Sequence, residues 1–251
     1  MILESCPKKL ELSFAPTDIA SLQERFFLLQ KESFEQKIGH IFLIEGWASS
    51  GKGKLLQVLT ERLDPRKFKV HSPYVHLSED RGYPFLWNFW KVLPRFGEVL
   101  FYLNSYYSRL SFLKSQKEIS EFEVNQRLLS ILNTERILSK DKIYIHKFFM
   151  HLSKKEQKRR LEDSKDKKKL WELSPFDKDQ GKHYNRYFEI FDSILEISNT
   201  EDSPWVVLPA DKKEEARIFI LESIIKRMES ILSFNSNEVL NGLNKGAELI
   251  P

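Results

Sequence analysis

Residues Ile41–Lys54 read IFLIEGWASSGKGK, an apolar strand-like run that opens into Gly46-x-x-x-x-Gly51-Lys52 before a helix-like stretch. Few short patterns constrain a fold as strongly, because strand, tight glycine turn and helix together form a P-loop that cradles phosphate. The glycines let the backbone wrap so that successive N–H groups point inward, and the helix that follows adds its positive N-terminal end. Lys52 supplies a mobile cation. The predicted phosphate contacts are Gly46, Ser49, Ser50, Gly51, Lys52, Gly53 and Lys54. One departure is immediate: Gly53 follows Lys52 where a Ser or Thr would give Mg²⁺ a hydroxyl ligand.

The rest of the chain repeats the alternation that such a loop requires. Strand-like runs, rich in Phe, Ile, Val and Tyr, fall at His40–Ile44, Phe68–Val75, Glu98–Leu103, Lys142–His151 and Trp205–Pro209. Helical stretches are expected at Ile19–Gln36, Lys52–Leu63, Phe85–Leu93, Ser105–Leu113, Glu118–Leu138, Lys154–Asp163, Tyr184–Ile197 and Lys212–Leu232. Apolar strands between amphipathic helices predict an α/β fold with a parallel sheet covered on both faces. Ligands of such sheets sit beyond the carboxyl ends of the strands, where the loop would lie. With 251 residues, of which 41% are hydrophobic and 13% aromatic, the chain can bury a core without disulfides. A single cysteine, Cys6, and no export signal suggest a cytoplasmic protein, and no apolar run is long enough for a membrane span. A net charge of +4 gives no case for nucleic acid.

Two segments stand apart. Ser153–Lys169, SKKEQKRRLEDSKDKKK, is either a solvated charged helix with a loop or a mobile lid whose cations close over phosphate. Asn235–Pro251 has weak periodicity and is expected to be a flexible tail. The histidines show no zinc spacing, and Trp87 and Trp90, three apart, read as core residues.

Seven blocks, in order, resemble the type-2 polyphosphate kinase family, including its polyphosphate:AMP phosphotransferases. The family loop E-G-x-D-A-A-G-K-G is similar to Glu45–Gly53. L-x-P-R-G-x-x-V is similar to Leu63–Val70, and R-P-F-L-W-R-F-W to Tyr83–Trp90. E-I-x-x-F-D-R-S-W-Y-N-R aligns without gaps on Glu98–Arg109. The remaining blocks resemble Ser153–Glu162, Asp166–Ser174 and Ser203–Arg217. The resemblance implies a P-loop kinase three-layer sandwich, with a five-stranded parallel sheet, helices on both faces and a helical lid at about residues 153–182. It implies one domain over residues 1–234. It also implies phosphoryl transfer between inorganic polyphosphate and AMP or ADP, with Lys52 and Arg109 at the chemistry and Arg159, Arg160 and Lys169 along the polyanion. A homo-oligomer or a paralogue is a further possible partner.

The departures fall at the chemistry. Family aspartates become Ala48 and Leu103, the Arg beside the second becomes Asn104, and lid cations become Leu170 and Glu172. Mg²⁺, expected for the family, takes oxygen ligands that Ala48 and Leu103 lack, so no metal ligand is assigned. Three readings therefore stand: a phosphotransferase with impaired or lost catalysis, a non-catalytic polyphosphate- or nucleotide-binding or assembly module, and an unrelated P-loop nucleotide kinase or ATPase.

Overall fold

A computed structural model describes residues 1–13, 19–73, 75, 82–166 and 173–247. Five strands, β1 (Gly39–Gly46), β2 (Phe68–His71), β3 (Val99–Leu103), β4 (Ile143–His151) and β5 (Trp205–Pro209), form one sheet in the order β2-β3-β1-β4-β5. Every pairing is parallel. The chain runs to one side of β1 for β2 and β3, then crosses to the other side for β4 and β5. This reversal leaves a crevice at the carboxyl end of β1, where such sheets bind ligands. β1 is buried along its whole length, whereas Lys69 and Val70 of edge strand β2 are exposed.

The helices are α1 (Ile19–Gln36), α2 (Lys52–Thr60), α3 (Trp87–Trp90), α4 (Tyr106–Ser115), α5 (Glu121–Lys140), α6 (Lys154–Asp166), α7 (Pro175–Lys182), α8 (Tyr184–Ser198), α9 (Lys213–Leu232) and α10 (Ser236–Ala247). α1, α2 and α9 pack together on one face of the sheet, and α4, α5 and α8 on the other. Leu22, Phe26 and Leu29 recur at helical spacing along α1 and are all buried. Phe26 meets Phe42 of β1 and Phe101 of β3 edge-on, at 5.8 and 6.5 Å between ring centres. On the opposite face Phe149 of β4 meets Phe191 of α8 at 5.2 Å. These contacts fix β1 centrally and aim its last residue, Gly46, at the crevice.

The expected strands and long helices are present, mostly within a few residues of their predicted ends, with three differences. Helix α7 falls within the stretch expected as a helical lid but is not among the individual helices expected from the sequence; Ser174 begins it with a capping box, its hydroxyl accepting from the Asp177 amide while Asp177 accepts from the Ser174 amide. The stretch expected to be a flexible tail contains α10, which packs on α1 and is tied at its start. There Ser236 is buried, accepts from Arg25 Nε and donates to Glu229. Trp90 is 44% exposed rather than in the core, because the short α3 fills the interior with Leu86 and Phe89 instead.

Candidate functional site

The loop after β1 has the backbone that its glycines anticipate. Gly46 has φ +135°, and a Cβ there would lie 2.5 Å from the Met150 carbonyl of neighbouring β4, so only glycine lets β1 end this close to β4. Ser49 has φ +62° and Gly51 φ +102°, which reverse the chain into α2. Lys52, the first residue of α2, folds back over the loop. Its Nζ donates to the Gly46 carbonyl at 3.0 Å and the Trp47 carbonyl at 2.9 Å. Burial pulls its pKa down, opposed by the charges of Asp177 and Glu45. Gly53 and Lys54 continue along the exposed side of α2.

Beside the loop lies a buried acid. Glu45 is buried and accepts from the Ser105 amide at 2.6 Å and from the Ser108 hydroxyl, so its carboxylate anchors the start of α4. Burial raises its pKa, against the hydrogen bonds of Ser105 and Ser108 and the charge of Lys52. Trp47 is fully buried, stacked on Tyr184 at 4.0 Å, and donates through Nε1 to His151 at 3.1 Å.

Helices α6 and α7 both reach the loop. From α6, the Arg160 guanidinium donates to the Ser49 and Ser50 carbonyls at 3.2 and 3.4 Å, and to the Ala210 and Asp211 carbonyls after β5 at 2.9 and 2.7 Å. Arg160, expected along a polyanion, is 5% exposed and joins two loops, while Arg159 is exposed and paired with Glu156 and Asp163. From α7, the Gln180 side-chain carbonyl accepts the Ala48 N–H at 2.8 Å. A cleft of about 490 Å³ opens beside these contacts, lined by Arg159, Arg160, Lys213 and the Asp211–Glu215 turn. Burial, then the charges of Arg160, Arg217 and Arg159, lower the pKa of Lys213.

Gly46, Ser49, Ser50 and Gly51 thus lie on one turn at the crevice with Lys52 folded back over it, while Gly53 and Lys54 lie on the exposed side of α2. Arg109, on α4, donates to the Val75 carbonyl. Lys169 lies outside the described residues. The Gln180 contact had no sequence signal, because it joins positions 132 residues apart.

Among the described residues the donor set for Mg²⁺ does not fit. Ala48 and Leu103 carry no oxygen in their side chains, and the Glu45 carboxylate is engaged by Ser105 and Ser108. Among the described residues no three of His, Cys, Asp or Glu are grouped as metal ligands.

A family model described as polyphosphate kinase 2 matches residues 13–233. The chain belongs to the polyphosphate kinase 2 family. It is 32% identical over 199 residues to a polyphosphate:AMP phosphotransferase of Pseudomonas aeruginosa, covering 78% of this chain and 39% of that protein. A polyphosphate:AMP phosphotransferase of Pseudomonas syringae pv. tomato is 27% identical over 217 residues, covering 86% of this chain and 44% of that protein. The chain therefore spans less than half the length of these two relatives. The crystal structure of polyphosphate kinase 2 from Arthrobacter aurescens TC1 superposes with a TM-score of 0.80 at 24% identity, covering 87% of this chain and 81% of that one. That likeness confirms the α/β P-loop fold of the polyphosphate kinase 2 architecture. No helix among the described residues is long and apolar enough to cross a membrane.

Proposed function

We propose that this chain binds inorganic polyphosphate and an adenine nucleotide, AMP or ADP, at the Gly46–Lys54 loop, and that its phosphoryl transfer is impaired or lost. The binding half is supported by the positive-φ turn at Ser49 and Gly51, a buried lysine and the N-terminus of α2. In the loaded site Lys52 exchanges its two carbonyl partners for phosphate oxygens, and Lys213 and Arg159 neutralise the chain along the cleft.

One observation carries the catalytic half: Ala48 and Leu103 stand where the family resemblance places aspartates. Phosphoryl transfer is mostly positioning and charge stabilisation. Loss of one well-placed electrostatic stabiliser costs about 10²–10³ in rate, and losses within one unit do not simply add. The test is incubation of purified protein with polyphosphate, AMP or ADP, and Mg²⁺, following nucleotide by chromatography, beside calorimetry with polyphosphate. Binding with turnover well below ~1 s⁻¹ is expected; turnover in the ordinary enzyme range overturns the impaired reading.

A second role, assembly with copies of itself or an active relative in the cytoplasm, is favoured by Phe122, Leu129 and Ile137, exposed along one side of α5. Sedimentation of the purified protein tests it, a strictly monomeric protein at micromolar concentration arguing against self-assembly.

A further inference from the structure

Two buried polar atoms at the loop lack a partner among the described residues. Ser50 is 1% exposed and Gln180 0% exposed, yet the Ser50 hydroxyl and the Gln180 Nε2 make no hydrogen bond among the described residues. Buried side-chain donors are rarely left this way in folded proteins. The orientation of the carboxamide is not arbitrary: the Ala48 N–H can only donate, so Oε1 faces it and Nε2 must point elsewhere. An amide NH₂ is donor-only. The group that Nε2 can satisfy is therefore an acceptor, and the Ser50 hydroxyl, two residues on from Ala48, is a second buried donor of the loop. Lys52 adds positive charge to the same loop. Phosphoryl oxygens accept hydrogen bonds, carry negative charge and donate nothing.

We propose that Gln180 is a phosphoryl-oxygen ligand of the loop: Oε1 holds the Ala48 amide while Nε2, together with the Ser50 hydroxyl, donates to one phosphoryl group. This rests on the reading that the loop binds phosphate, and it makes α7 part of the anion site. Neither donor touches solvent in the closed arrangement, so the anion enters while α7 is drawn back, and Nε2 engages as the contact re-forms. A neutral carboxamide then orients the group at a position where the resemblance provides a carboxylate-held cation.

The opposite view treats the Gln180 carbonyl as a stand-in for a phosphate oxygen that must leave, and the two views differ in sign. The test is calorimetric titration with inorganic tripolyphosphate, without divalent cations, of wild type, Q180A, Q180E and S50A, each checked by thermal melting. Q180A is expected to weaken binding ~10-fold or more, the scale of one hydrogen bond to a charged group. Q180E keeps an acceptor for Ala48 but loses the donor and adds negative charge, so it should weaken binding at least as much; S50A should show a smaller loss. Q180A binding that is unchanged or tighter overturns the proposal. Should Q180A fail to fold, Q180E and S50A decide it, wild-type affinity in both overturning it. No binding by wild type overturns the functional reading itself, and this inference with it; binding by wild type with no effect of the variants overturns this inference alone.

Discussion

The Lys147 ammonium lies 2.9 Å from the Glu135 carboxylate, and both side chains are almost wholly removed from solvent. Lys147 also donates to the Ser198 carbonyl at 2.7 Å, while Glu135 receives the hydroxyls of Tyr106, Tyr107 and Ser203. This cluster joins β4, α4, α5 and the turn before β5 behind the sheet, on the side away from α1. Burial lowers the Lys147 pKa, opposed first by the charge of Glu135.

The pair predicts an asymmetric cost. E135Q strands a buried ammonium and should destabilise the fold by about 3–5 kcal/mol. K147M leaves Glu135 with three hydroxyl donors and should cost less. The double variant should recover part of the E135Q loss. Urea unfolding of the four proteins checks the order; equal midpoints for E135Q and wild type would refute it.

The two ends of the loop respond oppositely to a methyl group. G46A places a Cβ against the Met150 backbone at positive φ, so clash and strain together should cost about 3 kcal/mol or more. G53A meets nothing within 4 Å inside the first turn of α2 and should raise stability by up to about 1 kcal/mol. Thermal melts of both variants suffice, and a G46A protein as stable as wild type would contradict the geometry.

Acid should loosen the sheet through two histidines. His40 Nδ1 and His146 Nε2 lie 3.0 Å apart in the interior, with Arg227 nearby on α9. Burial, then the Arg227 charge, pushes His40 down to about 3; burial, then His40 and Arg227, pushes His146 well below its usual value. Between those values and the unfolded pKa near 6.5, the unfolded chain binds protons that the folded chain refuses. Stability therefore falls as pH drops below about 6.5, by up to about 1.4 kcal/mol per pH unit for each imidazole. Unfolding midpoints at pH 7, 6 and 5 should show this slope, and H40L/H146L should flatten it.

Restoring carboxylates should restore chemistry. A48D/L103D is expected to raise Mg²⁺-dependent transfer from polyphosphate to AMP or ADP by ~10²-fold or more. Chromatography of the nucleotide products measures it. An unchanged rate would place the defect in the lid instead.

What the sequence could disclose followed its local chemistry. β1, its glycines and Lys52 were legible because strand period, turn and helix start lie within fourteen consecutive residues, Ile41–Lys54. The sheet followed from alternation. Arg160 was hidden in a run of cations, where composition says solvated face and only packing shows one guanidinium turned inward. α7 was obscured by its polarity and by Gly181, although Ser174 and Asp177 carry the spacing of a capping box. α10 depends on Arg25, 211 residues away along the chain, which together with Glu229 of the preceding helix holds Ser236. Gln180 meets Ala48 only through the tertiary fold.

Arg160 ties the turn after β1 to the turn after β5, with β4 lying between those strands in the sheet. A single rigid fork thus yokes two rims of the crevice to one helix. Anything that pulls the first rim should tug the second, so a fluorescent probe attached at exposed Lys212 would sense an occupant seated against Ser49 without touching it.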